Sequence, residues 1–175
     1  MASHAVVCED LLYEIFLHFS PEWKPHPCDA YELYQRRERL CALAACATAN
    51  RIMSECALPF LWRVLDNITP VMKILVHDMN HEGSDVIDES AWCRLQGYAS
   101  LVRELKYRDK VEDYRTSRPI WLALAGKLNG EPLFPFLQRL EVAFRLPDPC
   151  YLVIFSPSMH TLDFDTGHLR SFDRK

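Results

Sequence analysis

The sequence predicts an α+β chain in which helices come first and strands last. Two observations carry that reading. Through the first hundred residues, apolar side chains recur at three- and four-residue spacing, the period of a helix packed on one side. From residue 101 onward, three short segments of the form Leu-x-apolar separate helical or irregular stretches: Leu105-Lys106-Tyr107, Leu140-Glu141-Val142 and Leu162-Asp163-Phe164. Alternation over so few residues marks short strands.

Composition supports a folded chain. Of its 175 residues, 49% are hydrophobic and 11% aromatic, well above what disordered chains carry. The length suits one domain, or a small module joined to part of a larger one. Residues 1–90 carry 7 Lys/Arg against 14 Asp/Glu, and residues 91–175 carry 13 against 10. No basic stripe results, so nucleic acid is not an expected partner.

Apolar segment 11–19 follows Glu9 and Asp10 and is broken by Glu14 and His18, which does not suit a signal peptide. No stretch is long enough to predict a membrane span. The seven cysteines are odd in number and form no CxxC pair. That pattern predicts free thiols in a reducing compartment, the cytoplasm or nucleus.

The first helix is predicted over the stretch ending at Phe19. Leu11, Leu12, Ile15, Phe16 and Phe19 fall on one stripe, with Glu9 and Asp10 in the first turn, where negative charge suits the helix dipole. Pro21 ends it, and three prolines make 20–32 a loop. A second helix is predicted over Tyr31–Arg51. Its front half is charged and solvent-facing; its back half places Leu40, Leu43, Ala44 and Ala47 on one compact face. After a polar break at Asn50-Arg51, a third helix is expected over 54–65. There Pro59 would occupy the first turn and Leu58, Leu61, Trp62 and Leu65 one face.

Thr69-Pro70 then reads as an N-cap and first helical residue, with Val71, Ile74, Leu75 and Met79 behind it. Residues 81–90 form an acidic loop, and a short helix runs from Ser90 to Leu101. Residues 101–107 alternate as a strand, and 108–118 reads as a charged loop. Pro119 would open a helix closed by Gly130. The remaining two Leu-x-apolar segments follow.

The order VCEDLLYEIFLHF, LCALAACATANRI and ALPFLWRVLDNI resembles an F-box motif of the fungal type, over roughly residues 6–66. Cys46 matches the small-residue position of the second helix, and Leu61-Trp62 the closing pair. Cys8 stands where the family has proline, and segment 20–39 is longer than the family norm.

The resemblance implies a substrate receptor of a Skp-cullin-F-box ubiquitin ligase. Leu11, Leu12, Ile15, Phe16, Leu61 and Trp62 would meet a Skp-type adaptor and, through it, a cullin-RING ligase acting on a protein substrate. The Leu-x-apolar segments resemble the strands of a leucine-rich repeat, spaced 35 residues from Leu105 to Leu140 and 22 from Leu140 to Leu162. A third strand so near Lys175 suggests a truncated or short-form receptor. These readings divide the chain into a docking module over 6–68, linking helices over 69–100 and a partial leucine-rich-repeat-like region over 101–175. The alternatives are a self-associating scaffold, whose apolar helices pair with another copy, and an ordinary small α/β unit for the second half.

Chemistry-bearing motifs are absent from the sequence. His77 and His81 sit four apart in HDMNH, but Asp78 replaces the general-base Glu of an HExxH site and no third ligand is near. Cys46 and Cys56 have no companion at zinc spacing. Acidic residues at 82, 85, 88 and 89 lack the spacing of a calcium loop. No phosphate-binding or nucleophile-elbow motif occurs. The expectation is a non-enzymatic protein needing no cofactor or metal.

Overall fold

The computed structural model describes residues 9–20, 30–79, 87–108, 111–143 and 149–164. Helices and a parallel sheet share the chain, as an α+β class requires. The chain forms two compact units, Met1–Val64 and Leu65–Lys175.

The first unit is three helices: α1 (Glu9–Phe19), α2 (Ala30–Ala49) and α3 (Arg51–Arg63). Phe16, Leu43, Ala57 and Phe60 form its buried cluster, with Leu12, Cys46, Ala47, Met53, Cys56 and Leu61 packed against it. Phe60 is the pivot: its ring lies 5.0 Å from that of Tyr13 and 6.3 Å from that of Phe16. Small side chains at Ala47 and Ala57 let α2 and α3 approach closely. At 20 residues, α2 is about 30 Å long, against about 16 Å for α1. Only its second half meets the core, which leaves Tyr31, Leu33 and Tyr34 exposed.

Where α2 meets α3 the structure differs from the sequence reading. The break is a single residue. Asn50 is extended, at φ −162 and ψ 174, and its side chain accepts from the Met53 amide, so α3 starts at Arg51. Pro59 therefore lies inside the helix, not in its first turn. A proline there removes one backbone hydrogen bond and crowds the preceding turn. The Asn50 cap and the burial of Ala57 and Phe60 on either side hold the helix through it.

The second unit carries a four-stranded sheet in the order β1-β2-β3-β4. Its strands are β1 (Val64–Leu65, at the boundary of the units), β2 (Glu104–Arg108), β3 (Arg139–Ala143) and β4 (Thr161–Phe164). Between them run α4 (Thr69–Met79), α5 (Glu89–Ala99), α6 (Val111–Leu128) and a 3-10 helix over Pro149–Ile154.

Thr69 is the first residue of α4 and not its cap, and the Asn67 side chain accepts from the Thr69 amide at 2.9 Å. Asp88, read as part of an acidic loop, is the N-cap of α5 and accepts from the amides of Ser90 and Ala91. Helix α6 begins at Val111, so Pro119 is interior here too. Val111–Arg118 contains neither Gly nor Pro, so nothing local opposes the helix. It ends as expected: Asn129 (φ 49) and Gly130 (φ 91) take left-handed backbone, where glycine carries no steric cost.

The three Leu-x-apolar segments lie side by side in one parallel register. Leu105 faces Leu140 and Leu140 faces Leu162; Tyr107 faces Val142 and Val142 faces Phe164. Their starts repeat as well. The Arg103 carbonyl accepts from the amides of both Gln138 (2.7 Å) and Arg139 (3.0 Å), and the Gln138 carbonyl from those of His160 (3.0 Å) and Thr161 (3.2 Å). Behind the sheet, Trp121 packs edge-on against Tyr107 at 5.8 Å and against Tyr151 at 5.5 Å. Leu95, Leu124, Phe134, Leu137 and Ile154 complete a fully buried core.

Candidate docking surface

Seven of the eleven residues of α1 are apolar or aromatic, and Asp10, Glu14 and His18 form one polar stripe at four-residue spacing. The apolar arc is wider than a single inward face requires. Here one side packs inward through Phe16, 3% exposed, and Leu12, partly buried. Leu11, Ile15 and Phe19 stand one above another at four-residue spacing on another side, and are 61%, 42% and 36% exposed. Tyr13 and Leu17 extend the exposed surface around the helix.

The six residues expected at a partner interface therefore divide. Leu11 and Ile15 lie open. Leu12 and Leu61 are half-buried against the three-helix core. Trp62 is half-buried as well. Phe16 faces inward and serves the module's own core, in the buried cluster with Leu43, Ala57 and Phe60. The sequence reading passed over Tyr13 and Leu17 as surface residues, whereas it placed the front half of α2, with Tyr31 and Leu33, in solvent, where the structure has it. The available signal was the width of the apolar arc on α1, seven residues against a polar stripe of Asp10, Glu14 and His18.

Electrostatics around the module suggest no reactive group. Burial, with the carboxylates of Glu9 and Glu55 adding to it, pushes the Cys56 thiol up, which keeps it protonated and a poor nucleophile. Arg51 and Glu55 pair at 2.8 Å on the exposed side of α3. A hydrogen bond from Tyr34 to Glu38 raises the phenol. Cys41, Cys46, Cys56 and Cys93 are free thiols. Among the described residues no group of three His, Cys, Asp or Glu is placed to hold a metal ion, and no helix is long and apolar enough to cross a membrane. The side chains of His77 and His81, like Cys8 and Trp23, lie outside the described residues.

No family model, no curated protein and no solved structure matches the chain. The F-box resemblance rests on the residues quoted above.

Proposed function

We propose that the chain is a non-enzymatic adaptor of F-box type. Its first unit docks a Skp-type adaptor, and its second, a short leucine-rich-repeat-like stack, presents a protein substrate to the associated cullin-RING ligase. It needs no cofactor, because its contribution is proximity: holding the target near the transferring subunits raises its local concentration. The observation that supports the reading is the exposure of Leu11 and Ile15 on a helix whose adjacent side is already used by its own core. Large apolar side chains clustered at a surface mark an association site. The matched register of the three Leu-x-apolar strands supports the repeat-like part.

The test is co-purification of the full chain with a purified Skp-type adaptor. The wild type should retain the adaptor, and Leu11→Ser with Ile15→Ser should lose it while keeping the wild-type circular dichroism spectrum. No retention by the wild type, or equal retention by the double variant, would overturn the reading. A concentration-dependent dimer abolished by the same double variant, without adaptor retention, would assign the face to a second copy of the chain.

A further inference from the structure

The three parallel strands are equivalent in register but not in burial. Leu105 and Leu140 are both 0% exposed, whereas Leu162, in the same row, is 36% exposed. In the next row Tyr107 and Val142 are 3% and 1% exposed, and Phe164 is 60% exposed. Each inner strand is covered by the strand beside it and by what packs behind. β4 is the last strand of the sheet among the described residues. On the opposite face, Lys106, Glu141 and Asp163 make one row in register. That row starts with a cation and finishes with two neighbouring carboxylates, the outermost of them exposed.

We infer that the outer edge of β4, the last strand among the described residues, binds an extended segment of a partner protein with alternating apolar, basic and apolar side chains. The segment would lie parallel to β4 and continue the ladder. Its apolar residues would cover Leu162 and Phe164, and its Lys or Arg would stand beside Asp163. An open strand edge offers backbone donors and acceptors to any extended chain, and the side chains in its rows choose among them. Charge makes that choice here. A third acidic residue in the row would face Asp163 directly, whereas a basic one would set opposite charge beside it, in the way that Lys106 stands in register with Glu141 at the other end of the row. The inference goes beyond the docking reading and does not depend on it: α1 and β4 belong to different units, so adaptor retention and segment binding can fail separately.

The test uses the full chain and two capped pentapeptides, Thr-Leu-Lys-Phe-Thr and Thr-Leu-Glu-Phe-Thr, with affinity read by fluorescence anisotropy. The lysine peptide should bind about threefold tighter than the glutamate peptide, the scale of one cross-strand charge pair. Asp163→Lys should reverse that preference, and Phe164→Asp should weaken both peptides. Asp163 and Phe164 are exposed, and an unchanged circular dichroism spectrum would show that both variants fold. The inference is overturned if neither peptide binds, if the preference survives Asp163→Lys, or if Phe164→Asp instead dissolves a dimer of the chain.

Discussion

The two units spend their apolar residues in opposite ways. Among the described side chains, five buried apolar residues lie in the first unit and twenty-three in the second. Of the large apolar side chains left exposed, nine lie in the first and five in the second. The second unit encloses Trp121, Phe134 and a ladder of leucines. The first closes around one phenylalanine pair and leaves a whole side of α1 in solvent. Burial contributes roughly 25 cal/mol per Å² of apolar surface, so the first unit forgoes stability that its composition would supply. Composition alone does not separate a core from an interface; the difference lies in how much of each helix its own neighbours cover.

Substitutions can widen or narrow that contrast. The largest effect is expected in the second unit: Trp121→Ala, at the centre of the aromatic cluster, should cost about 4 kcal/mol, measured by urea unfolding. Phe16→Ala should cost the first unit about 3 kcal/mol and show as lost helical signal, since little other core replaces it. Pro59→Ala restores a backbone donor inside α3 and should raise stability by about 1 kcal/mol, below the full helix-interior cost of proline because its half-buried ring also packs. Leu11→Ser with Ile15→Ser should change stability by no more than about 0.5 kcal/mol while removing adaptor retention; a loss as large as that of Phe16→Ala would mean that the exposed side is core after all.

The smallest effect concerns acid. The Ser90 hydroxyl, then the Ala91 amide, hold the Asp88 carboxyl below the usual carboxylate range. Its contribution is present above the unfolded-state value near 4 and fades as pH falls through the lower folded-state value. Asp88→Asn should flatten the dependence of unfolding on pH below about 4, as followed by denaturant midpoints.

Much of this was legible in the sequence. Alternation identified the three Leu-x-apolar segments as strands, and their register follows from matching rows. Gly130 marked the end of α6. Pro59 and Pro119 misled, because proline is so much easier to place in a first turn that the sequence gives little reason to continue a helix through it. Phe16 could not be told from Ile15 for a different reason. On a helix whose apolar arc is so wide, periodicity offers more than one inward face, and only the position of Phe60 selects one.

The shared carbonyls of Arg103 and Gln138 have a consequence for how the second unit tolerates change. Each fixes two successive amides of the neighbouring strand at its first residues, so alignment is set where a strand begins and not by the chain that leads to it. Strands whose leucines are 35 and 22 residues apart in the chain can therefore reach the same rows. The sheet behaves like shelving hung from fixed pegs. Insertions into the connecting segments should leave the strands aligned, whereas replacing Gln138 with proline, which removes one of the two amides that bind the Arg103 carbonyl, should disturb the alignment of the strands that follow.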